Sequence, residues 1–210
     1  MNCEGLSINF LGDSITFGFG ALPARSYVSC LKRELHLKEA RNYGVSGSRI
    51  ARQNSPLDLG FPFVDRYKGM DEQADVVVVF GGTNDYGHGD APIGSFEDRT
   101  ECTFYGALHL LMEGLMVKYP LATIVFMTPL HRLDDHKPSK GNNLPLSAYA
   151  DIIKEVAEAY AIPVLDLYRT SGMQPNVPTN RKQYMPDGLH PNSKGHALLA
   201  SRLKGFLESL

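Results

Sequence analysis

Two short motifs at opposite ends of the chain, Gly12-Asp13-Ser14-Ile15 and Asp187-Gly188-Leu189-His190, hold between them a serine, a histidine and an acid. Those side chains are the inventory of an activated hydroxyl nucleophile. A serine hydroxyl is too weakly acidic to attack an ester unless an imidazole takes its proton. A carboxylate beside that imidazole orients it and stabilises the imidazolium that forms. Each motif alone has a plainer reading. An Asp-Ser pair directly after the apolar run Ile8-Asn9-Phe10-Leu11 also suits a capped turn, and a lone His190 suits a polar surface position.

Two further segments could serve the same reaction. Gly81-Gly82-Thr83-Asn84-Asp85 follows the run Val76-Val77-Val78-Val79-Phe80. Glycine lets a ligand approach the backbone closely, and the Asn84 amide can donate to an oxyanion without adding charge. Asn42-Tyr43-Gly44-Val45-Ser46-Gly47 offers glycine amides that could point at the same oxygen. Both segments are also rich in turn formers. Tyr86, just after Asn84, and His131 are candidate substrate contacts, while Phe17 and Phe19 read equally as pocket lining or as core. The run His131-Arg132-Leu133-Asp134-Asp135-His136 and the pair His88/Asp90 contain metal-ligand types, but no helix or strand spacing fixes them, so they read as solvated loops. His196 reads as a partly buried structural histidine of the last helix.

Residues so far apart in sequence need a framework that gathers them at one edge. Short β-rich runs at Ser7 to Leu11, weakly near Arg41 to Tyr43, Asp75 to Phe80, Thr123 to Thr128 and Ile162 to Leu167 alternate with helical stretches at Ser26 to Leu37, Thr103 to Lys118, Leu146 to Tyr160 and Ser193 to Leu210. This alternation predicts parallel strands joined by crossover helices. In an open parallel sheet the ligand crevice lies beyond the carboxyl ends of the strands, where the Ser14, Asn42 to Gly47 and Gly81 to Asp85 segments fall, while Asp187 to His190 runs into the last helix. The long connectors Gly47 to Val64, His131 to Pro145 and Arg169 to Pro186 leave strand or motif ends, where specificity would be built. Asn192 or Ser193 would cap the last helix.

The composition agrees with one enzyme-sized domain over residues 1–210. The chain is 43% hydrophobic, enough for a core without a disulfide or metal staple. With 21 Lys and Arg against 23 Asp and Glu, it has no basic field for nucleic acid or anionic lipid. Cys3, Cys30 and Cys102 are odd in number and widely spaced, as expected of reduced thiols. The N-terminus has no basic segment followed by an apolar one, and no run reaches the roughly 18 apolar residues of a membrane span. These features predict a cytoplasmic protein that binds neither nucleic acid nor membrane.

The four motifs, in this order along nearly the whole chain, resemble the blocks of the SGNH hydrolase superfamily, the GDSL-like lipases and acylhydrolases. Ile15 stands where the family name has leucine. The resemblance implies a three-layer α/β/α fold with a flavodoxin-like parallel sheet of about five strands. It further implies Ser14 as nucleophile, His190 as base and Asp187 as its orienting acid, with an oxyanion hole formed by the amides of Ser14 and Gly47 and the Asn84 side chain. Asp13 and Asp85 read as structural hydrogen-bonders. The expected reaction is hydrolysis of a small oxygen ester, short acyl or acetyl, an acetylated carbohydrate being one candidate, through an acyl-enzyme without cofactor or metal. Acyl transfer by the same triad, or a non-catalytic flavodoxin-like binding module, are the alternatives.

Overall fold

The computed structural model describes residues 1–55 and 61–210. Its strands are β1 (Ser7–Gly12), β2 (Glu39–Gly44), β3 (Val76–Phe80), β4 (Thr123–Met127) and β5 (Val164–Leu165). Its helices are α1 (Ser14–Phe17), α2 (Tyr27–Glu34), α3 (Phe63–Arg66), α4 (Thr83–His88), α5 (Phe104–Lys118), α6 (Leu146–Ala159), α7 (Leu167–Thr170), α8 (Pro178–Tyr184) and α9 (Ser193–Ser209), with a 3-10 turn at Tyr67–Gly69. The strands form one all-parallel, five-stranded sheet in the order β2-β1-β3-β4-β5, the flavodoxin-like order expected.

Strand alternation divides the core. Val76, Val78 and Phe80 face one layer with Ile8, Phe10, Leu31 of α2 and Leu199 and Leu203 of α9. Val77 and Val79 face the other, with Leu11, Leu108, Leu111 and Leu115 of α5 and Ile153 and Val156 of α6. Both faces of β3 are thus covered, which is why its sequence is apolar without interruption. Asn9, within the run read as apolar, is fully buried. Its side-chain amide donates to the Asp71 carbonyl at 2.8 Å and to Tyr119 Oη at 3.3 Å, so its polarity is met inside the protein.

Several boundaries differ from expectation. β2 extends from Glu39 to Gly44 and pairs along the full length of β1. As an edge strand it is only partly covered and tolerates Glu39, Arg41 and Asn42, which blurred its signal. β5 is two residues long rather than Ile162 to Leu167. Pro163 precedes it, and the Asp166 side chain accepts from Arg169 N at 3.3 Å, so that Leu167 already begins α7. The connector Arg169 to Pro186 contains α8, whose residues are polar and none of them buried, so no apolar periodicity announced it. The connector Gly47 to Val64 ends inside α3, and its residues 56–60 lie outside the described residues.

The register brings the strand ends level. Gly12 pairs with Gly44 on one side and Phe80 on the other, and Phe80 pairs with Met127. The segments that follow these residues therefore leave one edge of the sheet side by side.

Candidate active site

Ser14 is the first residue of α1. Asp13, not Ser14, caps that turn: its carboxylate accepts from Ile15 N at 2.9 Å. The serine hydroxyl is left for another partner, and Ser14 Oγ lies 3.1 Å from His190 Nε2. His190 Nδ1 lies 2.7 Å from Asp187 Oδ2, while Asp187 Oδ1 accepts from Leu189 N at 2.9 Å and His190 N at 2.7 Å. Burial pushes the Asp187 pKa up, but the bonds from His190 and Leu189 outweigh it and hold the group below the usual carboxylate range. An ionised carboxylate only accepts, so Nδ1 carries the imidazole proton and Nε2 presents its lone pair to Ser14.

The loop after Ser14 and the histidine turn are fastened together. Gly20 has φ +89, and a Cβ there would stand 2.5 Å from the Pro191 carbonyl oxygen, so only glycine permits this approach. The Phe19 ring lies 4.4 Å from the His190 ring at 51°, and Ser193 Oγ accepts from Leu22 N at 3.0 Å. His196 is fully rather than partly buried. Its Nδ1 accepts from Tyr27 N at 3.1 Å, which leaves Nε2 to donate to the Phe19 carbonyl at 3.2 Å. It ties α9 to the loop after Ser14 and takes the structural role expected of it.

The other two blocks meet beside this pair. Asn84 Nδ2 donates to the Ser48 carbonyl at 3.0 Å, which sets the amide against the loop carrying Gly47 and leaves its second hydrogen for the crevice. Gly47 has φ +78, a left-handed turn in which its N–H donates to no acceptor among the described residues. Val45 N donates to the Gly12 carbonyl at 3.0 Å, and Asn42 Nδ2 to the Thr16 carbonyl at 2.7 Å. Asp85 accepts from Ile50 N and Ala51 N, holding α4 against the segment after Gly47.

Beneath the crevice Asp13 and Asp85 are accompanied by Arg66, which local pattern did not single out. Arg66 Nη1 donates to the Gly12 carbonyl at 3.1 Å and to Ser48 Oγ at 2.8 Å, and its Nη2 donates to the Tyr43 carbonyl. It thereby joins the ends of β1 and β2 and the loop that follows β2. Burial lowers its pKa to about 10 against the opposing pull of Asp13. Burial pushes the Asp13 carboxyl up to about 7 and that of Asp85 up to about 6, in each case against the hydrogen bonds from backbone amides.

The candidate substrate contacts fare unequally. Tyr86 is a core residue: its hydroxyl donates to the carbonyls of Asp134 and Lys137, and its ring meets Tyr149 edge-on at 5.9 Å. Its hydroxyl is thereby committed within the protein. His131 sits on the loop after β4 with Nδ1 against Asp135 Oδ2 and its ring 4.0 Å from that of Tyr168, so one ring nitrogen is already committed. Phe17 and Phe19 are exposed, at 62% and 52%, and belong to the rim rather than the core. Arg49 meets His88 at 2.7 Å, and Asp90 accepts from Asn54 N. Among the described residues no group of three or more His, Cys, Asp or Glu is disposed to hold a metal ion. Likewise no helix among them is long and apolar enough to cross a membrane.

Two cavities, of about 280 and 430 Å³, open at the opposite, amino-terminal edge of the sheet beside Thr123 and Pro163 and beside Ser7 and Asp75. They are lined by none of the four motifs.

Comparison with known proteins agrees with this architecture. The profile of the GDSL-like Lipase/Acylhydrolase family matches residues 10–198. A solved structure from Lactobacillus plantarum is 36% identical, covering 98% of each chain with a TM-score of 0.85. Another, described as a "possible lipase" from Chitinophaga pinensis, is 24% identical, covering 97% of this chain and 98% of its own with a TM-score of 0.74. No curated protein matches the sequence.

Proposed function

This chain belongs to the GDSL-like lipase/acylhydrolase family, and we propose that it is a serine esterase hydrolysing a small oxygen ester through Ser14, His190 and Asp187. The observation that carries this reading is the unbroken relay from Ser14 Oγ to His190 Nε2 at 3.1 Å and from His190 Nδ1 to Asp187 Oδ2 at 2.7 Å. Both contacts lie within the reach that proton transfer needs.

In this reading Ser14 Oγ attacks the ester carbonyl carbon as its proton passes to His190 Nε2. The oxyanion is held by the amides of Ser14 and Gly47 and by the Asn84 side chain. The imidazolium, steadied by Asp187, gives its proton to the departing alcohol oxygen, and an acyl-Ser14 ester remains. Water then yields a proton to His190 and attacks that ester. The acid leaves, and Ser14 recovers its proton. His190 acts in both halves because the alcohol it protonates on departure vacates the place that water takes.

The expected substrate is a short acyl or acetyl ester, of which an acetylated carbohydrate is one example. The exposed Phe19 supplies an apolar rim beside His190. The test is hydrolysis of 4-nitrophenyl acetate together with labelling by an organophosphonate. The wild type is expected to turn over and to be labelled at Ser14, whereas Ser14→Ala, with an unchanged melting temperature, does neither. Full activity in Ser14→Ala overturns the reading.

A further inference from the structure

We propose that Arg132 is the specificity-determining residue of the crevice and that the preferred ester carries a carboxylate, held by the Nε and Nη2 edge of its guanidinium. This inference rests on the serine-esterase reading of the same site and names its class of substrate.

The placement of Arg132 is set on both sides. Its Nη1 donates to the Thr83 carbonyl at 3.1 Å and meets Thr83 Oγ1 at 3.4 Å, and Thr83 immediately precedes Asn84. On the other side, Leu133 N donates to the Gly188 carbonyl at 2.6 Å, inside the Asp187 to His190 turn. The Leu133 side chain packs so closely there that a Cβ on Gly188 would stand 2.7 Å from Leu133 Cβ. The loop after β4 thus touches both the helix that carries the amide candidate for the oxyanion hole and the turn that carries the candidate base. Asp13 and Asp187 both lie close enough to act on its charge.

The guanidinium is half-buried yet only partly satisfied. One face lies 5.5 Å from the centre of the Tyr86 ring, and Nη1 is taken by Thr83. Nε and Nη2 make no hydrogen bond among the described residues, and neither is sealed from solvent. These two groups form the side-on fork that grips a carboxylate by two parallel bonds. Among the described residues no carboxylate lies within 4.0 Å of the guanidinium, because the nearby ones are engaged elsewhere. Asp135 accepts from His131 and from Arg132 N, and Asp187 from His190. A half-buried cation that shares in the field of Asp135, Asp13 and Asp187 but makes no direct ion pair among the described residues leaves interaction energy for a ligand to supply. Lysine could not substitute fully, since its ammonium has no planar fork.

The experiment compares two pairs of esters. One places the carboxylate on the acyl side, mono-4-nitrophenyl succinate against 4-nitrophenyl butyrate. The other places it on the alcohol side, 4-acetoxybenzoate against phenyl acetate. The quantity read is the ratio of kcat/KM for the charged ester to that for the neutral one. In the wild type this ratio is expected to exceed unity for one pair and to fall as salt is added. Arg132→Met is expected to lower it by about ten-fold or more, and Arg132→Lys to restore part of the loss. Gly87→Ala, whose Cβ would stand 2.5 Å from Arg132 Nη1, is expected to lower the same ratio by displacing the fork with its charge intact.

A ratio unchanged within about two-fold in Arg132→Met for both pairs overturns the proposal, as does a wild type that favours the neutral ester of both. Should the wild type hydrolyse no ester and resist the phosphonate, the serine-esterase reading is what fails. Arg132 is then judged by calorimetric binding of succinate. Binding that is lost in Arg132→Met supports the assignment, and its absence from the wild type overturns it.

Discussion

Ser14 and Asp13 stand side by side at the start of one helical turn, and either could in principle cap it. The carboxylate takes the cap, at 2.9 Å from Ile15 N, and the hydroxyl turns to His190. A comparable division occurs at Asn84, whose amide spends one hydrogen on the Ser48 carbonyl and keeps the other. If that second hydrogen stabilises the oxyanion, its loss is felt in the transition state far more than in substrate binding. Asn84→Ala is therefore expected to lower kcat by about 10² to 10³ with a much smaller change in KM. Steady-state kinetics on a short aryl ester decides the matter, and an unchanged kcat removes Asn84 from the mechanism. Tyr86 shows what residue type alone leaves open. It stands two residues after Asn84, on the other side of the same helix, and its ring packs into the core.

The elements that carry these residues were legible in proportion to their burial. β3 and α5 are buried through most of their length and announced themselves by apolar content, as did α6 by its helix-face periodicity. β2, at the sheet edge, and α8, on the surface, lack that imprint. Helix starts were readable from chemistry instead. Asn192 was one of two candidate caps for α9, and its side chain accepts from Lys194 N at 2.9 Å and Gly195 N at 3.1 Å. Replacing it with alanine orphans both donors and is expected to cost about 1 kcal/mol, seen as a lower urea midpoint at constant slope. Leu111 of α5 is fully buried between sheet and helix layer. Leu111→Ala is expected to cost about 2 to 5 kcal/mol, and a loss below 1 kcal/mol in the same assay would mean that the layer collapses around the cavity.

At the scale of the whole molecule, the two buried carboxyls beneath the crevice link folding to pH. Asp13, pushed up to about 7, and Asp85, pushed up to about 6, hold their protons in the folded protein at pH values where the unfolded chain, near 3.8, has lost them. The stability that neutral Asp13 contributes is thus fully present below pH 4 and is lost as pH rises toward 7, at up to about 1.4 kcal/mol per unit. Asp13→Asn keeps a capping oxygen but cannot ionise. Its melting temperature is expected to gain on that of the wild type between pH 4 and pH 7, and a constant difference across that range would refute the linkage. We also expect residues 1–210 to unfold as a single domain. The transition followed by tyrosine fluorescence should coincide with that followed by circular dichroism, and separated midpoints would show two units.

The α/β class, the order of the four motifs and the chemistry they could support were all readable from the chain before folding. Those properties depend on local periodicity and on residue type, which the chain carries at every position. Tertiary structure alone decided which groups meet. Ser14 and His190 are 176 positions apart and touch only because the register levels the strand ends and His196 ties α9 to the loop after Ser14. Arg66 and Arg132 were invisible as site residues for the same reason. A guanidinium acquires its role from the carbonyls, rings and carboxylates gathered around it, and those come from distant segments that share no local pattern.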